Sequence, residues 1–166
     1  MYLTQRYFSI FSVFLVFSAV FFSRPERTVA LLSLLVLALS LVSQYLVARI
    51  QYRFVRWIRL FRVLQLWLSF FWSIPLIYLL GQWWGPMWLL FLWTPCTAAL
   101  SFGRGKTLGI SLGVALALLG VYALRGLSSP AGWGQAAVHA AFIVFFSLFV
   151  QSLAELSLRL RDGAQR

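Results

Sequence analysis

The chain has 166 residues, of which 62% are hydrophobic and 10% charged, with 14 Lys and Arg against 3 Asp and Glu and a net charge of +11. A soluble domain of this length holds about 45–50% apolar and about 25% charged residues, so an ordinary water-soluble enzyme and a disordered tail are excluded. With Cys96 as the single cysteine, a disulfide scaffold and a cysteine metal cluster are excluded as well.

The expected fold class is all-α: a polytopic integral membrane protein with six transmembrane helices, forming one membrane domain over residues 1–166. In lipid a segment must satisfy its own backbone, and each apolar run here approaches the roughly 20 residues that cross a bilayer. The first spans 7–23; Phe21-Phe22-Ser23 before Arg24 lacks a small-x-small cleavage pattern, which predicts a retained anchor. Arg24-Pro25-Glu26-Arg27 makes a tight turn, because proline cannot continue a helix and restrains its predecessor. The second run spans 28–48.

Between the second and third runs, arginine recurs at every third position from Arg53 through Arg56 and Arg59 to Arg62, with Arg49 one turn earlier. A voltage-sensing helix with such a ladder needs acidic partners in the membrane, and the chain offers only Glu26, Glu155 and Asp162. At 100° per residue, Ile50, Phe54, Trp57, Ile58 and Phe61 share one face and the five arginines the other. That pattern predicts a separate amphipathic helix over 49–62 at the inner leaflet, its guanidiniums on anionic lipid headgroups. Each cation near such a surface contributes about 1 kcal/mol. The ladder reads either as a topology anchor or as a dock for an acidic cytoplasmic partner.

The third run, 63–80, contains Pro75, and the fourth, 87–102, contains Pro95. Each proline removes one helical hydrogen bond; Thr94, Cys96 and Thr97 stand beside the second to satisfy freed carbonyls or to line a small ligand cavity. The fifth run, 107–124, follows Gly103-Arg-Gly-Lys106. Gly105, Gly109, Gly113 and Ala117 form a small-xxx-small row, which predicts a close helix contact within the bundle or with a second copy. If that face is buried, Gly109→Leu damages assembly more than Leu112→Ala. The sixth run, 135–156, holds His139, either a proton-sensing group or a neutral histidine bonded to a neighbouring helix. Gln44, Gln65 and Gln151 read as interhelical glue. Leu153, Leu156 and Leu160 continue the last helix as a packing seam for signal output, with Glu155 and Arg159 as an i,i+4 pair at its exit.

Alternate loops divide the basic residues unevenly. Arg6, the five ladder arginines, Arg104, Lys106, Arg159, Arg161 and Arg166 fall on one side, and Arg24, Arg27 and Arg125 on the other. By the positive-inside bias both termini face the cytoplasm, which puts Trp83, Trp84, Trp88 and Trp133 near the outer interface. No paired carboxylates, metal-ligand cluster or serine-histidine-acid set is present, and Gly103-Arg-Gly-Lys106-Thr107 fails the phosphate-loop spacing. The expectation is a protein without catalytic residues, metal or cofactor.

The order of features resembles the six-helix membrane input region of pilus-type bacterial sensor histidine kinases. The likeness rests on Arg59-Leu-Phe-Arg-Val-Leu-Gln65, Tyr78-Leu-Leu-Gly81, Gly103-Arg-Gly105 and Ala154-Glu155-Leu-Ser-Leu-Arg159. It departs from that family at Leu68 and Ser69, where the family carries an acidic residue, and at Gly81-Gln-Trp-Trp-Gly85, which replaces a Gly-Gly turn. The 166 residues contain no phosphoacceptor or ATP-binding region of that family. The resemblance implies a sensory or scaffold module of the bacterial inner membrane that signals through its last helix to a protein partner or a second copy, and carries over no catalytic residue. Expected partners are therefore anionic lipids and protein, not nucleic acid. A substrate-binding or accessory subunit of a transporter, and a structural subunit of a cell-envelope machine, are the alternative expectations.

Overall fold

The computed structural model describes residues 2–53 and 58–164. Every regular element in that range is helical: α1 (Tyr2–Ser23), α2 (Arg27–Arg53), α3 (Ile58–Leu80), a 3₁₀ turn (Gly85–Trp88), α4 (Leu89–Ser101), α5 (Arg104–Leu124) and α6 (Pro130–Ala164). Among the described residues, four helical stretches are long and apolar enough to cross a membrane: Arg27–Ile50, Val63–Leu80, Arg104–Leu124 and Pro130–Ser157. Six were expected. In α1 the described apolar stretch is Ile10–Ser23, and α4 has 13 residues, about 20 Å of helix against a hydrocarbon layer of about 30 Å. Gly85-Pro86 before α4 and Gly103 after it confine that helix to its short length.

Of the separate amphipathic helix expected over 49–62, residues 49–53 belong instead to α2 and 58–62 to α3, and 54–57 lie outside the described residues. Arg49 and Arg53 lie on the last turns of α2, and Arg59 and Arg62 on the first turns of α3. Nothing between Arg27 and Arg53 breaks a helix, there being neither glycine nor proline, so α2 absorbs the start of the ladder. Arg56 lies outside the described residues, as do the side chains of Arg53, Arg59 and Arg62; the Arg49 side chain is exposed.

The helix ends follow local chemistry. Arg24, at φ 44°, turns the chain between α1 and α2 in a left-handed conformation that costs a non-glycine residue about 1–2 kcal/mol. Gly126, at φ 75°, supplies the same geometry without that cost and closes α5, with Gly126 N–H donating to the Ala123 carbonyl at 3.0 Å and Leu127 N–H to that of Tyr122 at 3.4 Å. Ser129 caps α6, its Oγ accepting from Gly132 N–H at 3.1 Å, with Pro130 at the first helical position. A Cβ on Gly132 would fall 2.9 Å from that Oγ and 3.0 Å from Leu127 Cδ1, so a larger residue there would push the capping side chain aside.

The chain forms two compact units, residues 1–90 and 91–166, with the boundary inside α4. In the first, α2 and α3 make the main pair, and the core holds Leu15, Val16 and Ala19 of α1, Leu37 of α2, Leu66, Phe70, Leu76, Ile77 and Leu80 of α3, and Met87 and Leu90. Trp84 stacks on Phe22 with ring centroids 5.8 Å apart, which fixes the turn after α3 against the end of α1. In the second, α5 pairs with α6 and the core holds Phe91, Ala98, Ala99, Val114, Ala115, Leu118, Val121, Ala136, Ala140 and Ile143.

Candidate functional site

The buried faces of α5 and α6 carry hydroxyls and an amide at helical spacing: Thr107 and Ser111 on one, Ser147 and Gln151 on the other. Residues four apart lie one above another on a helix, so two such pairs on antiparallel helices meet rung against rung. Thr107 Oγ1 lies 3.0 Å from Gln151 Oε1 and donates to it. Ser111 Oγ and Ser147 Oγ are 2.5 Å apart, and Ser111 also lies within hydrogen-bond reach of the Thr107 carbonyl. Toward the other end of α5, Tyr122 Oη and His139 Nδ1 are 3.0 Å apart, with the Arg125 guanidinium 5.9 Å above the tyrosine ring. Ala140, between the Ser147 and His139 rungs, and Ala136, just beyond them, are buried, and residues this small leave room for a close helix approach.

This arrangement answers several sequence expectations. His139 is half-buried and bonded to a neighbouring helix. Gln151 is interhelical glue, and its Nε2 also donates to Glu155 Oε1 at 3.2 Å. Gln44 donates within its own helix, to Ser40 Oγ at 3.2 Å, while Gln65 Nε2 is buried without a hydrogen-bond partner among the described residues. The expected glycine contact is not made among the described residues. Gly105, Gly109 and Gly113 lie on the exposed face of α5, a Cβ at any of them meets nothing within 4 Å, and Ala117 is half-exposed. Glycine spacing shows where another backbone can approach, not which face is used; the close contact runs through Ser111 and Ala115 instead. Thr94 and Thr97 lie on α4, and their Oγ1 atoms are buried with no hydrogen-bond partner among the described residues. Neither threonine therefore repairs a carbonyl freed by Pro95.

The register of the rungs determines where α6 goes. With Thr107 opposite Gln151, Arg104 at the start of α5 stands level with the residues just before Glu155. The helix continues to Ala164, about ten residues or about 15 Å farther at 1.5 Å per residue. Leu153, Leu156 and Leu160 are 49%, 53% and 66% exposed. They continue a line begun by the exposed Phe142, Phe145 and Phe149. These six residues repeat with spacings of three, four and four, an eleven-residue period close to that of a straight helix, so the stripe stays on one side throughout. The Arg159 side chain lies outside the described residues, so the Glu155–Arg159 pair does too. Among the described residues, no group of three His, Cys, Asp or Glu side chains converges.

Sequence reasoning named the leucines and Gln151 but missed the partners Thr107, Ser111 and Ser147. Their signal was the i,i+4 repetition of polar residues in two successive apolar runs, Thr107 with Ser111 and Ser147 with Gln151. Comparison with protein-family models, with curated proteins and with solved structures finds no match for this chain.

Proposed function

We propose that this protein is a non-enzymatic membrane module, sensory or scaffolding, that engages a cytoplasmic protein partner or a second copy through the C-terminal end of α6. The observation that carries the reading is the protruding end of α6: its leucine stripe runs past the start of α5 with nothing in the described chain covering it. Lipid accounts for the exposed phenylalanines and for Leu153 and Leu156 within the Pro130–Ser157 span, but not for Leu160 beyond it. The side-chain rungs support the reading, because a helix fastened along its membrane length moves at its free end as a rigid extension. The basic excess on the α2–α3 and C-terminal side supports a cytoplasmic location for that end in a bacterial inner membrane. The same excess supports anionic headgroups as the lipid contacts of Arg49, Arg53, Arg56, Arg59 and Arg62.

The test is purification in mild detergent from the source membranes of the unaltered protein beside a Leu156→Glu, Leu160→Glu variant. The expected result is one protein, or a second copy, held at fixed stoichiometry by the unaltered chain and lost from a variant of unchanged melting temperature. Equal recovery with both chains would overturn the reading.

A further inference from the structure

Near the middle of α1, α2 and α3, the first unit contains a small polar slot. It is lined by Ser12, Ser40, Gln44, Ser69, Trp72 and Ser73 among leucines, and no charged residue lines it. Ser12, Ser40 and Ser69 each stand at the midpoint of their helix, which in a membrane is the level where water is scarcest. Two polar atoms at the slot have no hydrogen-bond partner among the described residues: Ser12 Oγ, on a residue only 6% exposed, and Trp72 Nε1.

The behaviour of the other serines makes Ser12 informative. A helical serine in an apolar setting ordinarily donates back to the carbonyl one turn earlier. Ser33 does so to Val29, Ser73 to Ser69 and Ser152 to Leu148. Ser12 forgoes that bond, although it sits inside a continuous helix. Trp72 has no such local option, since an indole N–H only donates, and an unpaired buried donor in hydrocarbon costs several kcal/mol. A group that answers both must accept from the indole and also exchange a hydrogen bond with a hydroxyl. It must be uncharged, because nothing here compensates the desolvation of an ion. The free space is about the size of one water molecule, and a buried water needs two to four polar partners.

We propose that this slot is a binding site for a single water molecule, which accepts from Trp72 Nε1, pairs with Ser12 Oγ and thereby links α1 to α3 at mid-height. Ser40 and Gln44 of α2 close the third side. The link is independent of the proposed role of α6, which belongs to the other unit.

The test uses the full chain in detergent micelles with nitrogen-15-labelled tryptophan. The Trp72 indole signal is identified among the eight tryptophans by its loss in Trp72→Phe. The expected result is a through-space cross-peak from that indole N–H to a long-lived water. Beside it, Ser12→Ala and Trp72→Phe should each lower the melting temperature, and the double variant should melt no lower than the worse single one, since both act on one shared water. An indole without a water cross-peak overturns the proposal whatever the melting data. Additive melting shifts, or single variants that melt higher than the unaltered protein, overturn the bridge even if the indole is wet. Should either variant fail to fold, the cross-peak in the unaltered protein decides, assigned through Trp72→Tyr.

Discussion

Two hydroxyls facing each other across a helix pair gain little in water, where solvent competes for both. Between α5 and α6 the competitor is absent, yet measured interhelical bonds in membranes average only about 0.6 kcal/mol and reach about 1.7, because the separated helices also find partners. A double-mutant cycle on Ser111→Ala and Ser147→Ala, read by denaturation in micelles, should therefore return a coupling of about 0.5–2 kcal/mol. Uncoupled variants would mean that the rung is not formed in solution. Backbone geometry gives a second expectation at this scale. Arg24→Gly should stabilise the chain by about 1 kcal/mol, because it removes the side-chain penalty of the left-handed turn. Gly126→Ala should cost a similar amount at the end of α5, since it introduces that penalty. The opposite signs, measured in one assay, distinguish backbone strain from a general sensitivity of loops.

At the scale of the helix, the exposed and buried faces of α5 and α6 should respond in opposite ways to added bulk. Gly109→Leu enters open space and should leave the melting temperature nearly unchanged, whereas Ala140→Leu overpacks the pair and should cost about 1–3 kcal/mol. A large loss from Gly109→Leu in the monomer would contradict the observed face of α5. This reverses what the glycine row implies when read alone. The apolar runs between Gly and Pro punctuation were readable as helices, and Gly81 to Pro86 and Leu127 to Pro130 marked real breaks. The arginine ladder was less readable: amphipathic periodicity places residues on a face, but it does not end a helix, and no breaker separates Arg49 from α2. Face selection on α5 was the least accessible, since it depends on hydroxyl partners contributed by a helix some 40 residues away. His139 was legible as half of a pair, but its other half, Tyr122, was not.

For the whole molecule, the orientation proposed from the asymmetric charge is one that labelling can read directly. In a Cys96→Ser background, a membrane-impermeant maleimide should modify Gln82→Cys in intact cells, and Arg49→Cys only in inside-out vesicles. The reverse pattern would place the α2–α3 connection outside and remove the basis for a cytoplasmic end of α6. The two hairpin helices of the second unit also differ in length, and that difference has a mechanical consequence. The apolar part of α6 covers 28 residues and α5 covers 21, or about 42 Å against about 31 Å. Alone, the longer helix would relieve the excess by leaning over. Rungs spread from Thr107 to Tyr122 hold it to a shorter neighbour that already fits the hydrocarbon upright, so the surplus emerges at one end. Membrane thickness then becomes a dial on how many leucine turns stand clear of the lipid. Vesicles of short-chain phospholipid should bare Leu153 to protease and partner alike, and long-chain ones should draw it back under cover.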